Sequence, residues 1–203
     1  MRTTSGDIDF SADLNTAKSK GTIVGVVITK TNPRATDPML PASCTHGIAI
    51  ALGEGEGTWV SDNSQTISAW ASQNGYAFVD GNDKYSGYTN TQALKAYINA
   101  KGCSSGMIAA LKAYTSPSLP NNTSGYYLPS VQEAKDIAAI SNSTLDFSNK
   151  LKGIGGTGFT NDNGYWTVSE TGGSAYIVRT LIPNSVSTSP KTGSKKFRYV
   201  FAF

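Results

Sequence analysis

The sequence predicts an α+β domain, and three observations carry that reading. β-Branched or aromatic runs stand at both ends of the chain, the middle third has helical spacing, and the last nine residues, "KKFRYVFAF", alternate with period two. A final strand this apolar must be paired or covered, so the terminal strands are expected to meet in one sheet. The whole chain, 1–203, is expected to be a single domain, since 203 residues suffice to bury an ordinary core.

Taken in order, "TIVGVVITK" (22–30) suits a buried strand, and "HGIAIALGEG" (46–55) suits a second that stops in glycines. Between them Pro33, Pro38 and Pro41 mark an ordered irregular loop. Trp59 and Trp70 lie in a Gly/Ser/Asn-rich region and read as packing anchors. A first helix takes Thr89 or Asn90 as its cap, presents Leu94, Tyr97 and Ile98, and stops at Gly102. A second starts at Ser104 or Ser105, presents Met107, Ile108 and Leu111, and ends before Pro117. In "GYYLPSVQEAKDI" (125–137) the step from Ser130 to Glu133 is a capping box, so a third helix starts there and presents Ile137 and Ile140. "STLDFSNKLKGIGG" offers a fourth, closed by glycines. From Tyr165 the period returns to two in "YWTVSE" and "SAYIVRTLI", followed by a Pro/Ser/Thr loop and the last strand. In that strand Phe197, Tyr199, Phe201 and Phe203 share one face and Arg198, Val200 and Ala202 the other. The strands Thr22–Thr29 and Lys196–Phe203 are expected to be neighbours.

Composition narrows the partners. Only 15% of residues are charged, against abundant Gly, Ser, Thr, Asn and Tyr, a balance that favours an exported protein over a cytosolic one. With 17 basic and 14 acidic residues the net charge is +3, and the one basic cluster, around Lys195, Lys196 and Arg198, lies inside an apolar alternating run, which argues against nucleic acid. No stretch approaches the roughly 18 consecutive apolar residues of a membrane span. The N-terminus "MRTTSGDIDF" lacks a signal-peptide core, so the sequence reads as a mature segment with a start methionine.

The parts needed for catalysis are sparse. His46 stands near Cys44, yet "PASCTHG" is a proline-and-glycine loop with no third, orienting group. Cys44 and Cys103 form no CxxC, and a single disulfide and two free thiols both fit. Glu54 and Glu56 in "GEGEG" read as a solvated, mobile turn. Asn161, Asp162 and Asn163 cluster before a strand, as ordinary turn chemistry does, and the converging oxygens of a calcium site are missing. No cofactor, no metal and no enzymatic activity are expected.

The order "GYYLPSVQE", a second helix, "GYWTVSET", "SAYIVRTL" and "SKKFRYVFAF" resembles the C-type-lectin-like domains of surface lipoproteins and adhesive tip proteins of gut Bacteroidetes. The shared pattern runs from Gly125 to Phe203, and "GVVI" and "GIAIAL" would supply the N-terminal half. Related folds occur in the C-terminal domain of the Legionella collagen-like adhesin, in the formylglycine-generating enzyme and in retroelement-diversified variable proteins. The resemblance implies a C-type-lectin-like fold with paired terminal strands and antiparallel C-terminal strands that display a binding face. It implies a non-catalytic adhesion module at the extracellular or outer-membrane surface, recognising host glycan or protein. Contact with the membrane would be made only through an N-terminal lipid anchor outside this segment. The alternative is a diversified variable receptor. Thr167 and Val168 depart from the serines common in the family, and no cysteine follows Cys103, so the formylglycine-generating chemistry does not carry over.

Alternation places the binding residues. If Trp166 and Val168 face the core, then Tyr165, Thr167 and Ser169 face out, and Tyr176 and Arg179 offer anchoring side chains on the next strand. The candidate ligand-binding residues are Tyr165, Glu170, Tyr176 and Arg179.

Overall fold

The computed structural model describes residues 2–4, 7–9, 13–19, 21–81, 84–143, 147–160, 164–180 and 185–203. Its centre is a six-stranded open sheet in the order β4 (Gly25–Thr29), β5 (Ile48–Thr58), β9 (Ser194–Ala202), β6 (Tyr165–Thr171), β7 (Ser174–Val178) and β8 (Val186–Pro190). A small second sheet joins β2 (Asp7–Asp9), β1 (Arg2–Thr4) and β3 (Thr22–Ile23). The helices are α1 (Leu14–Ser19), α2 (Ile67–Asn74), α3 (Gly87–Lys101), α4 (Gly106–Ala113), α5 (Val131–Ser143) and α6 (Phe147–Gly153).

The first and last strands share the central sheet but are not neighbours: β5 lies between β4 and β9 and pairs antiparallel with both. The expected Thr22–Thr29 strand is also divided, its first two residues pairing with β1. The reason is that β5 is apolar on both faces in its first half, Ile48 to Ala51 being wholly buried. A strand of that kind takes an interior position in the sheet, here second from the edge. The C-terminal strands are antiparallel from β6 through β8, whereas β6 meets β9 in parallel, at Tyr165↔Lys196. The Pro/Ser/Thr segment read as loop contains β8, an exposed polar edge of the kind that resists further pairing.

The capping box is present. Ser130 N donates to Glu133 Oε2 at 2.6 Å, and Glu133 N donates to Ser130 Oγ at 3.4 Å. Helix α4 starts after Ser105, whose Oγ accepts from Ile108 N, and α3 ends at Gly102 with φ 63. Helix α3 starts earlier than its sequence suggests. Its N-cap Ser86 makes no side-chain cap bond, and Asp37 from the proline loop accepts from Thr89 N and Oγ1 instead. A cap supplied from fifty residues away leaves no local trace. Helix α2 carries Trp70 into the core, where it stacks on Tyr76 and meets Tyr97 edge-on.

Both faces of the sheet are covered. Phe197 and Tyr199 join Trp59, Trp166 and the residues of α3 and α4 in one cluster, while Val200 and Ala202 join Ile137, Phe147 and Leu151 on the opposite face. Among the described residues, no helix is long and apolar enough to cross a membrane.

Candidate functional site

The GEGEG segment is the second half of β5, not a turn. A Cβ on Gly53, Gly55 or Gly57 would stand 2.4–2.8 Å from atoms of Tyr114, Phe197, Tyr199 or Gly106, so this face admits only hydrogen. The intervening glutamates consequently point to the other face. There Glu54 accepts from three groups: Lys196 Nζ lies 2.9 Å from Oε1, Arg198 Nη2 3.1 Å from Oε2, and the Tyr165 hydroxyl donates to Oε2 at 3.1 Å. Tyr165 Oη in turn accepts from Thr160 N at 3.0 Å, and Lys196 Nζ donates to Thr160 Oγ1 at 3.0 Å. Arg198 is wholly buried; it donates to the carbonyls of Thr157 (2.8 Å) and Gly158 (2.7 Å) and lies over the Phe159 ring. Burial lowers its pKa, with the Tyr165 hydroxyl and the Glu54 carboxylate acting in the opposite sense.

Above this hub a groove of about 200 Å³ opens between β5, β9 and the start of β6, lined by Glu56, Thr160, Tyr165, Ser194, Lys195 and Lys196. On the far side of β6 a second cleft, of about 280 Å³, runs between the start of α2 and the β6–β7 turn. It is lined by Thr66, Ser68, Asp80, Glu170, Thr171 and Tyr176. Glu170 fixes its floor: Oε1 accepts from Ser68 N at 2.7 Å near the start of α2, and Oε2 is ion-paired with the buried Lys191. Lys191 also donates to the Gly172 carbonyl and lies over the Trp59 ring. Losing either partner of this buried pair would strand a charge in the interior.

The four sequence-predicted residues therefore divide. Glu170 and Tyr176 meet at the second cleft, Tyr165 lines the first groove, and Arg179 lies exposed beyond β7 and lines neither. The outward reading of Tyr165, Thr167 and Ser169 fails, since all three are buried. Alternation predicts exposure only when one face of a strand is wet, and β6 has Arg198 and Phe159 on one side of Tyr165 and helices α3 and α5 packed on its faces. Glu54, Lys191 and Arg198 were missed as partners. Only Arg198 carried a signal, a charge in the middle of an apolar strand, which demands an opposite charge nearby; Lys191 follows β8 in a polar segment and Glu54 lies among glycines.

Cys44 is buried and its thiol donates to the Ala202 carbonyl, while His46 is exposed beside Thr45; burial pushes the Cys44 pKa up. The two cysteines are free thiols. Among the described residues no group of three or more His, Cys, Asp or Glu side chains could hold a metal ion. The Asn161–Asn163 cluster lies outside the described residues.

Fold and site together define an α+β domain with a mixed, open six-stranded sheet, covered on both faces and carrying polar clefts on either side of β6. A fimbrial protein from Bacteroides ovatus, known from its crystal structure, has the same fold. The TM-score is 0.77 at 20% identity, over 95% of this chain and 46% of that one. The chain thus spans less than half the length of that fimbrial protein. No protein-family description and no curated protein matches the sequence.

Proposed function

We propose that this chain is a non-catalytic adhesion module on a C-type-lectin-like scaffold, displayed at the outer-membrane or extracellular surface and binding host glycan or protein. The observation that carries the reading is the likeness in fold to a fimbrial protein along 95% of the chain. The sequence pattern from Gly125 to Phe203 supports the C-type-lectin-like scaffold, and a lipid-anchored N-terminus outside this segment would hold it at the surface. The ligand face is the β6–β7 surface around the second cleft, where a half-buried tyrosine, an exposed carboxylate and two threonine hydroxyls converge on a fixed floor. Rigid aromatic and polar groups of this kind lose little entropy on binding.

The test is a glycan array together with a cell-adhesion assay on wild type and the double variant Tyr176→Ala/Asp80→Ala. Binding is expected to fall more than tenfold, about 1.4 kcal/mol, with the circular dichroism spectrum unchanged and with wild-type binding intact in EDTA. Equal binding by both proteins, loss of wild-type binding on chelation, or turnover of the bound ligand would each refute the proposal.

A further inference from the structure

The guanidinium of Arg198 is held by three of its neighbours and left unmet at one atom. Nη1 and Nη2 reach the Thr157 and Gly158 carbonyls and Glu54, whereas Nε is buried with no hydrogen-bond partner. A buried donor on a charged group carries the full cost of its lost hydration unless something accepts from it. The same arginine lines an internal cavity of about 10 Å³ between α5 and the sheet, bounded by Ala134, Ile137, Val178 and Thr180, each of them buried. The main chain of Thr180 is anchored there because its carbonyl accepts from Ser141 Oγ of α5.

We propose that this cavity is a binding site for one internal water molecule, which accepts from Arg198 Nε and hydrogen-bonds Thr180 Oγ1. The volume is that of a single water centre. Apolar cavities stay dry, but a charged donor and a hydroxyl-bearing residue among the lining supply the two polar partners that a resident water needs. The space excludes larger ligands, inorganic anions among them. The water completes the solvation of the guanidinium and so holds the plane that meets Glu54 and Phe159 beneath the groove.

A crystal structure of the wild-type chain at a resolution that shows ordered solvent is expected to place one water within hydrogen-bond distance of both Arg198 Nε and Thr180 Oγ1. Thr180→Val is expected to lose that water. Should the variant not fold, the wild type alone decides in solution: its Arg198 Nε–H proton is expected to give a nuclear Overhauser cross-peak of the sign that marks a long-lived water. A wild-type cavity empty of density, a protein acceptor on Nε, absence of the cross-peak, or an unaltered water in Thr180→Val would overturn the proposal.

Discussion

Glu133 is a carboxyl held where water cannot reach it, and the substitution Glu133→Gln reads out the consequence. Burial is the largest influence on this group and raises its pKa from 4.5 to about 7, against the hydrogen bonds from Ser130 and Tyr127 that favour the charged form. The neutral acid keeps both contacts. Oε2 still accepts from Ser130 N, and the carboxyl proton can point to the Tyr127 oxygen, 2.9 Å away, once that hydroxyl reverses its role. The sign follows from the proton count. Between pH 4.5 and about 7 the folded chain retains a proton that the unfolded chain has lost, so stability is complete below that window, falls as pH rises through it, and is level above. At roughly 1.4 kcal/mol for each pH unit the loss is about 3 kcal/mol. A glutamine accepts from Ser130 N and donates to Tyr127 without titrating, so its own contribution is flat. Urea unfolding of both proteins from pH 4 to 9 is the assay, and the difference between them isolates this group from Asp37, whose pKa burial also raises. The variant is expected to gain on the wild type by about 3 kcal/mol across the window. A difference that does not change with pH, or that changes in the opposite direction, would refute the assignment.

Ser130→Ala removes the reciprocal half of the capping box and is expected to cost roughly 0.5–2 kcal/mol, with ligand binding unchanged; an unaltered melting curve would show that the serine is not the cap. Gly55→Ala would place its Cβ 2.4 Å from Phe197 Cζ and 2.5 Å from the Tyr199 hydroxyl. It is expected to destabilise by about 1–3 kcal/mol, and wild-type stability in that variant would mean that β5 does not press its glycines against β9.

The parts of the fold visible in the sequence are those whose cause is local. The Ser130 cap, the Ser105 cap and the Gly102 stop are each made by residues within a few positions, and all appear where the sequence puts them. The misread elements have distant causes. The start of α3 is capped by Asp37, the glycines of β5 are required by Tyr114, Phe197 and Tyr199, and β8 becomes a strand because β7 offers it an edge. The same division holds in the candidate site. The segment from Gly164 to Arg179 does border both clefts, but which of its side chains reach them depends on α3 and α5 covering β6, and no period-two pattern records that.

The first groove borders the parallel junction of β6 and β9. β6 and β9 meet at Tyr165↔Lys196 and then diverge, which would leave main-chain groups in the gap without ladder partners. Other groups take over that work: Trp59 Nε1 donates to the Thr167 carbonyl at 2.8 Å, Tyr127 pairs with Val200, and Val168 N donates to Pro129 O. Charged pairs flank β6, Arg198 and Lys196 with Glu54 near its start and Lys191 with Glu170 near its end. Such pairs contribute little net stability but tolerate few alternative arrangements, because a partner lost in the interior strands a charge. Main chain, indole and ion pairs together hold β6 in place along its length. The second cleft rests on such a fixed strand end, which is the condition under which the exposed Asp80 and the half-buried Tyr176 can bind without first ordering the backbone that carries them.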